Sequence, residues 1–398
     1  MKISIEQATG LVLGHTSVLE EEQTPLEDSI NRVLVRDIYS AIDQPPFDRS
    51  PLDGYGVISS DIEGASHETP VVLKVVDKLY AGMASDIPVL KGQAVRLMTG
   101  SMIPKGADCI IRQEDTDLGE QYVSIYRSLK ADSNYCHIGE EYEAGAVLLK
   151  RRLKIDAAAI AVAAGAGLTS LPVRRHVRAA VISTGDEICR PGEKLPPGKI
   201  YDSNVSYLSV RLSQLGAVVT ERISVEDNVD KIAALLERVA AGNDLVITMG
   251  GVSVGQRDLM EKSMEAAGAE IVFHGIDMKP GMPTLFAVKG RTLFLGLSGN
   301  PFSAAVPFEL LVRPMFSKML EDPSLELKKK KARAANDFTK RSPSRRFLRA
   351  CFQNGVVYMP QKQGNGQMQT MVGCNCLIDI PAGTDEVWRG NEVNMIRI

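Results

Sequence analysis

Between residues 177 and 297, short apolar runs alternate with longer segments in which apolar side chains recur every three or four positions. The apolar runs include AAVIS and DLVITM, and the amphipathic segments between them include SYLSVRLSQLGA and VDKIAALLERVAAG. Short apolar strands that alternate with amphipathic helices are typical of a parallel sheet covered by helices on both faces. We therefore predict a central α/β sheet domain whose ligands bind at the carboxyl ends of its strands.

Before this region, the pattern predicts short helices followed by β structure. Ser4 can cap an N-terminal helix, and a second short helix is predicted from Pro25 to about Val33. From residue 35 to about 142, short β-branched runs are separated by glycine, aspartate and proline, which is the pattern of a mostly β insert. Residues 157–166, AAAIAVAAGA, predict a helix of small residues that can pack closely against a neighbour.

After the strand pair LFAV and TLFLGL, the pattern predicts a last helix and then a second β region. The helix should run from Phe302 to about Leu320, and Pro307 should lie in an early turn or kink it. The next segment, EDPSLELKKKKARA, has the composition of a solvated linker, and we interpret Lys328–Lys331 as part of it rather than as a nucleic-acid patch. Short apolar runs and glycine turns from about 332 to 398 predict a small β-barrel or sandwich.

Composition narrows the class of protein. A chain of 398 residues with 44% hydrophobic and 24% charged residues is typical of a soluble multidomain protein. The net charge of −3 gives no general attraction to nucleic acid or to anionic membranes. No apolar run approaches the roughly 20 residues that span a bilayer, and the start MKISIEQATG lacks the apolar core of a signal peptide. We therefore predict a cytoplasmic protein without membrane or nucleic-acid partners.

The cysteines and histidines do not predict a zinc site. The six cysteines contain no CxxC pair, and the five histidines are far apart in the sequence. Cys374 and Cys376 would point to one face of a strand, so we interpret them as small core residues.

The segment DLVITMGGVSVGQRD, residues 244–258, is the first candidate for chemistry. An apolar strand ends at Gly250 and Gly251, and Ser253, Gly255 and Asp258 follow before the next helical pattern. Glycines at such a position let backbone N–H groups approach a phosphate closely. The same glycines are equally expected in an ordinary tight turn, because the segment matches neither the Walker nor the dinucleotide pattern.

Three further turns follow strands of the same α/β region and are expected at the same edge of its sheet. They are Ser183-Thr184-Gly185-Asp186-Glu187, Lys279-Pro280-Gly281 and Gly299-Asn300-Pro301-Phe302-Ser303. Hydroxyls and N–H groups suit a phosphate, carboxylates suit a divalent metal, and a lysine suits an oxyanion. Each turn alone is more often structural, but packing does not explain four such turns at one edge.

Several other polar residues have more than one interpretation. Asp202 and Asn204 either cap the following helix or contact a ligand. Asp227 and Asp258 are metal ligands, acid–base groups or solvated surface residues, and Asp53 lies in the constrained loop PPFDRSPLDGYG. No GxSxG motif or other nucleophile arrangement is present. The sequence therefore favours chemistry by binding and electrostatics on a phosphorylated ligand.

Seven segments together resemble one known family. They are PPFDRSPLDGYGV, RLMTGSMIPKGADCIIRQEDT, STGDEI, GKIYDSN, TMGGVSVGQRD, MKPGMPT and GLSGNPFSAAVPFELLVRP, in order between about residues 25 and 320. The chain resembles the molybdopterin molybdenumtransferases, relatives of the gephyrin E domain. The resemblance implies a homodimer of multidomain subunits, with a central molybdopterin-binding α/β sheet domain, a mostly β insert, a small linking domain and a C-terminal β-barrel-like domain.

The resemblance also implies limits for these four domains. The α/β domain would comprise residues 1–26 and 176–326, and the linking and dimerisation domain 27–45 and 146–175. The mostly β insert would comprise residues 46–145, and the C-terminal domain 327–398.

The resemblance also implies a reaction and its site. Such enzymes insert molybdenum from molybdate into adenylylated molybdopterin and release AMP with the help of Mg2+ or another divalent cation. The implied catalytic residues are Asp53, Glu141, Glu187, Asp227, Asp258 and Lys279, and the implied metal ligands are Asp186, Asp227 and Asp258. The implied binding residues are Thr184, Gly185, Asp186, Asp202, Asn204, Gly250, Gly251, Ser253, Gly255, Pro280, Gly299, Asn300 and Ser303. Candidate protein partners are the molybdopterin adenylyltransferase and the molybdoenzymes that receive the cofactor.

Several positions depart from the family pattern. Glu141 replaces the aspartate of the usual GED, Met282 replaces the second lysine of KPGKP, and Ser298 replaces the proline of LPGNP. The lost lysine removes a positive charge where an oxyanion is expected. An alternative function is therefore a catalytically weak paralogue that binds molybdopterin or the finished cofactor as a scaffold or carrier.

Overall fold

The computed structural model describes residues 2–252 and 259–398 and divides the chain into two compact units. The first unit contains Met1–Val35, Arg152–Asp156 and Ser170–Ile398, and the second contains Arg36–Arg151 and Ala157–Thr169. Among the described residues, no helix is both long and apolar enough to cross a membrane. The finer division into four domains remains a prediction.

The first unit contains the predicted central sheet, which has six strands. In sheet order they are Ala217–Val225, Val177–Thr184, Leu245–Met249, Thr292–Leu297, Leu285–Lys289 and Glu270–His274. The first four are parallel, as predicted, but the fifth is antiparallel to both neighbours. Only Gly290 and Arg291 separate it from Thr292–Leu297, and a connection this short can join only antiparallel strands.

Apolar side chains cover both faces of this sheet. On one face, Val181 and Ile247 pack with Leu208 and Leu212 of the helix Ser203–Gln214. The other face has its own apolar core beneath the helices Val229–Ala240 and Leu259–Ala266. Burial on both faces explains why the strands are continuous apolar runs rather than alternating ones.

The N-terminal helix is confirmed, and the second predicted helix is wrong. Ser4 and Gln7 form a capping box at the start of Ile5–His15. Glu21–Pro25 is instead a strand antiparallel to Ser170–Arg174, and only a 3-10 turn, Glu27–Ser29, follows it. Beyond this turn the backbone N–H groups donate to carbonyls far along the chain, at residues 153, 155 and 172. These long-range hydrogen bonds replace the local ones of a helix.

The helix predicted from Phe302 to about Leu320 is present but interrupted. It consists of Pro301–Pro307, a π-helical segment Phe308–Val312, and Arg313–Leu320. The irregular segment begins directly after Pro307, which has no N–H to donate to the preceding turn. The predicted disturbance at Pro307 is therefore confirmed.

The C-terminal part of the first unit is a closed five-stranded β-barrel, as predicted. Around the barrel the strands are Lys329–Ala334, Glu392–Arg397, Cys376–Ile380, Arg345–Gln353 and Val356–Tyr358, which pairs with the first again. The predicted linker is wrong in part, because Lys329–Lys331 belong to a barrel strand whose buried positions are Ala332 and Ala334. Two alternating alanines are too few to reveal a strand among the lysines.

The second unit is mostly β, as predicted for the insert. Its sheet has the strand order Cys109–Arg112, Gly54–Val57, Gln93–Leu97, Val71–Leu79 and Tyr122–Ile125. A second, two-stranded sheet pairs Ile38–Tyr39 with Val147–Leu149. The predicted helix of small residues is Ala157–Gly165.

Candidate functional site

A cavity of about 470 Å³ lies at the carboxyl edge of the central sheet. Its walls come from the loops that follow the strands Val177–Thr184, Leu245–Met249 and Thr292–Leu297, which are neighbours in the sheet. The carboxyl ends of adjacent parallel strands meet at one edge, so three of the four predicted turns come together there. The lining includes Thr184, Glu187, Asp202, Asn204, Gly250, Gly251, Gly299 and Asn300.

Two glycines at this edge are required by the backbone. Gly250 has a φ of 94°, and a Cβ at this position would lie 2.4 Å from the carbonyl oxygen of Thr184. Gly251 has a φ of 64°, which other residues adopt only with strain. The N–H of Gly250 donates to the Leu297 carbonyl, so the amide of Gly251 is the better candidate for an anion. Ser253, Gly255 and Asp258 lie outside the described residues.

Three carboxylates follow two neighbouring strands of the sheet, and of these only Glu187 lines the cavity. Asp186 and Glu187 follow one strand, Asp227 follows its neighbour, and the backbone N–H of Asp227 lies 3.5 Å from Asp186 Oδ1. Loss of hydration raises the pKa of Asp227, and repulsion by Asp186 and Glu187 raises it further. Within residues 2–252 and 259–398, no three His, Cys, Asp or Glu side chains form a group that could hold a metal.

Asp227→Asn is expected to raise the melting temperature at pH 7. A raised pKa means that the folded protein takes up this proton at a higher pH than the unfolded chain does, so the charged carboxylate opposes folding at neutral pH. This destabilisation disappears as the pH falls toward 3.8, the ordinary pKa of an aspartate, because the carboxylate then becomes protonated. Melting curves of both proteins at pH 7 and at about pH 3 test this. Equal melting temperatures at pH 7 would contradict the repulsion.

Asp202 caps the following helix, which is one of the two roles that the sequence left open, and its contact with a ligand stays a prediction. One carboxylate oxygen, Oδ1, caps the helix Ser203–Gln214 by accepting from the Val205 N–H at 3.0 Å. The other, Oδ2, is buried and has no hydrogen-bond partner, although Asp202 lines the cavity. Asn204 Nδ2 donates to the Gly299 carbonyl at 2.7 Å and thereby joins the start of the helix Ser203–Gln214 to the loop after Thr292–Leu297.

The Lys279 turn does not reach this edge, contrary to expectation. Met278–Lys279 pairs with Arg345 and Arg346 of the barrel rather than with the central sheet.

Lys279 and Pro280 line a second cavity of about 570 Å³, together with the barrel residues Lys340 and Arg346. Arg346 Nε is buried without a hydrogen-bond partner, and desolvation lowers the pKa of this arginine. Sequence reasoning missed both barrel residues, since no motif marks them.

The Gly299-Asn300 turn lies between the two cavities. Asn300 lines the first cavity and Phe302 lines the second. The Ser298 hydroxyl accepts from the Asn300 N–H at 3.2 Å, so this departure from the family pattern has a local structural use. Ser303 is buried at the start of the helix Pro301–Pro307 and lines neither cavity.

Asp53 and Glu141 lie in the second unit. Asp53 Oδ1 accepts hydrogen bonds from the backbone N–H and the hydroxyl of Thr99, both at 2.7 Å. The backbone hydrogen bond and then the hydroxyl lower the pKa of Asp53. Glu141 is exposed, and its N–H donates to the Gln44 carbonyl.

Family models match almost the whole chain in three consecutive parts. Residues 3–167 match the MoeA N-terminal region (domain I and II), and residues 180–318 match a probable molybdopterin binding domain. Residues 331–398 match the MoeA C-terminal region (domain IV). The order and extent of these matches agree with the arrangement of sheet and barrel described above.

Curated relatives and solved structures agree over the full length. The molybdopterin molybdenumtransferase of Staphylococcus epidermidis strain RP62A is 33% identical to this chain, and the alignment covers 99% of this chain and 95% of the relative. The molybdopterin molybdenumtransferase of Bacillus subtilis strain 168 is also 33% identical, and the alignment covers 100% of this chain and 94% of the relative. A structure of the molybdopterin biosynthesis MoeA protein from Pyrococcus horikoshii has a TM-score of 0.87 at 30% identity and covers 100% of this chain and 99% of that one. The chain therefore belongs to the molybdopterin molybdenumtransferase family, the transferases of molybdenum cofactor biosynthesis.

Proposed function

We propose that this protein inserts molybdenum from molybdate into adenylylated molybdopterin and releases AMP. The observation that carries the proposal is the convergence of three polar loops on one cavity at the sheet edge. The Gly251 amide and the Thr184 hydroxyl are suited to a phosphate oxygen. The carboxylate of Asp227 is close enough to those of Asp186 and Glu187 to be repelled by them.

The second cavity supports a separate place for molybdate. Lys279, Lys340 and Arg346 line it, and Asp337 is the only carboxylate among its described lining residues. An excess of positive charge with an unpartnered guanidinium nitrogen favours a dianion over a neutral ligand. The Asn300–Phe302 turn separates the two cavities, so molybdate and the phosphate side of the pterin would approach each other there.

The close pair of Asp186 and Asp227 would need at least one further ligand to hold a divalent cation, because the described residues contain no group of three candidate ligands. Burial and then repulsion by Asp186 and Glu187 raise the pKa of Asp227, and a cation would relieve the repulsion while using the oxygen ligands that Mg2+ prefers. Asp186, Asp227 and the undescribed Asp258 would hold Mg2+, which would neutralise charge on the pyrophosphate. The chain's own contribution is to hold Asp227 beside Asp186 through a backbone contact.

The resemblance extends the proposal beyond the first unit. Asp53 and Glu141 would contribute from the second unit in a homodimer, with Asp53 closing the site of the partner subunit. The molybdopterin adenylyltransferase would supply the substrate, and molybdoenzymes would receive the product. Fixation of Asp53 by two hydrogen bonds from Thr99 supports a positioned carboxylate rather than a mobile surface one.

The carrier alternative depends on the replacement of a lysine by Met282. Met282 is not among the residues that line either cavity, and its carbonyl accepts the Ile276 N–H. Lys279, Lys340 and Arg346 still supply positive charge. This arrangement favours the transferase over the carrier.

AMP release is the test that separates the two functions. Purified protein given adenylylated molybdopterin, molybdate and Mg2+ is expected to release AMP, and Lys279→Ala should need about tenfold more molybdate because it loses one charged contact. Lys330→Ala, at an exposed barrel lysine outside both cavities, is the matched control. Binding of the pterin without AMP release would favour the carrier.

A further inference from the structure

Three charged side chains form a buried triad at the interrupted helix of the first unit. Glu309 lies in the π-helical segment Phe308–Val312, and only 1% of its surface is exposed to solvent. Arg211 of the helix Ser203–Gln214 donates two hydrogen bonds to the Glu309 carboxylate, at 2.8 Å and 3.0 Å. Arg313 is also buried, and its Nη1 lies 3.9 Å from Glu309 Oε2. The triad is therefore an arginine–glutamate–arginine cluster that is largely removed from water.

Stability alone does not explain this triad. A buried ion pair recovers only part of the free energy that is lost when its charges leave water, and apolar side chains of similar size often stabilise a protein as well or better. Burial raises the pKa of Glu309 more than the two guanidinium groups lower it, so the ionised carboxylate is less favourable in the folded protein than in the unfolded chain. Burial likewise lowers the pKa of Arg313. The charges are therefore expected to have another role.

The triad joins the elements that carry the two cavities. Arg211 belongs to the helix whose first turn supplies Asn204 to the first cavity. Glu309 belongs to the interrupted helix that starts at the turn between the two cavities. Arg313 Nη1 donates to the carbonyl of Arg397 in a strand of the barrel, and other barrel residues line the second cavity. One carboxylate thus connects the helix of the first cavity to the barrel of the second.

The contact between Arg211 and Glu309 also fixes the helix Ser203–Gln214 along its length. Near the start of this helix, Asn204 Nδ2 donates to the Gly299 carbonyl. Arg211 lies seven residues later, which is about 10 Å along the helix axis. An arginine bound to a carboxylate by two hydrogen bonds has a defined geometry, whereas apolar packing is non-directional. The ion pair therefore opposes sliding of this helix along the segment that follows Gly299.

We propose, on the basis of the function proposed above, that Arg211, Glu309 and Arg313 are positioning residues that hold the two cavities at the separation needed for molybdenum transfer. None of the three lines either cavity, so they act only through the elements that they join. Molybdate in the second cavity and the pterin in the first would have to meet at the Asn300–Phe302 turn. A displacement of about 1 Å between two reactants can lower a rate about 100-fold.

Replacement of the whole triad by apolar residues separates positioning from stability. The triple variant Arg211→Met/Glu309→Leu/Arg313→Met should melt at or above the temperature of the wild type, because no buried charge is left unpaired. It should bind molybdopterin, measured by pterin fluorescence, as tightly as the wild type does. Its rate of AMP release at saturating molybdate should fall about tenfold or more, since the two cavities lose their fixed separation.

Two further variants serve as controls. Arg238→Met/Glu221→Leu applies the same replacements to a more exposed ion pair that lines neither cavity, and it should leave AMP release unchanged. Glu309→Leu alone leaves two buried guanidinium groups without their carboxylate and should melt well below the triple variant. Equal melting temperatures of Glu309→Leu and the triple variant would overturn the proposal.

The remaining outcomes separate positioning from the proposed function. AMP release at equal rates by the wild type and the triple variant would overturn the positioning role and leave the function standing. A triple variant that melts well below the wild type would make the triad a stabilising feature of the fold and overturn the proposal. Weaker molybdopterin binding by the triple variant would mean that the triad shapes the first cavity itself, which would also overturn it. Absence of AMP release by the wild type would overturn both the positioning role and the function.

Discussion

Gly250→Ala is expected to lower the free energy of unfolding by about 2–4 kcal/mol and to reduce AMP release by about 100-fold or more. The Cβ would lie 2.4 Å from the Thr184 carbonyl oxygen and 2.8 Å from its Oγ1. The backbone would also keep a φ of 94°, which is strained for alanine. Thr184 and Gly251 would both have to move, and both line the first cavity.

Gly242→Ala is the matched control for this substitution. A Cβ at residue 242 meets no atom within 4 Å, so its effect should stay within about 0.5 kcal/mol. Urea denaturation gives the stabilities, and AMP release gives the activities. If Gly250→Ala were as stable and as active as Gly242→Ala, the close approach of Gly250 to Thr184 would not matter for folding or activity.

Arg349→Met is expected to destabilise the protein by about 2–4 kcal/mol. Arg349 is fully buried, and its guanidinium lies 3.8 Å from the ring centre of Phe302. It donates to the Gly364 carbonyl at 2.6 Å and to the Gln367 carbonyl. Methionine has a similar volume but no donors, so both carbonyls would lose this partner.

The same substitution should weaken the use of molybdate. The loop that Arg349 holds also accepts the Phe302 N–H at the Asn365 carbonyl, and Gly364 and Asn365 line the second cavity. The molybdate concentration needed for half-maximal AMP release should therefore rise. Arg341→Ala removes only a surface pair with Asp385 at 3.1 Å and should change stability by at most about 1 kcal/mol. Comparable losses in both variants would argue against a special role for the buried guanidinium.

Local patterns predicted the parts of the fold that depend on local interactions. The alternation of apolar runs and amphipathic segments predicted the strands and helices of the central sheet, because burial of both sheet faces leaves a periodic signal. Ser4 predicted the first helix because a capping box involves residues three positions apart. The predicted helix from Pro25 failed for the opposite reason, since its backbone partners are more than a hundred residues away.

For the site, the sequence alone identified the glycine and carboxylate turns of the first cavity, because each follows a predicted strand and parallel strands end at a common edge. Only the tertiary structure decided that Lys279 faces a different cavity, because its short strand pairs with the barrel. Only the tertiary structure supplied Lys340 and Arg346 to that cavity. Each of these contacts depends on pairing between strands that are separated in the sequence. Such pairing cannot be predicted from the spacing of residues along the chain.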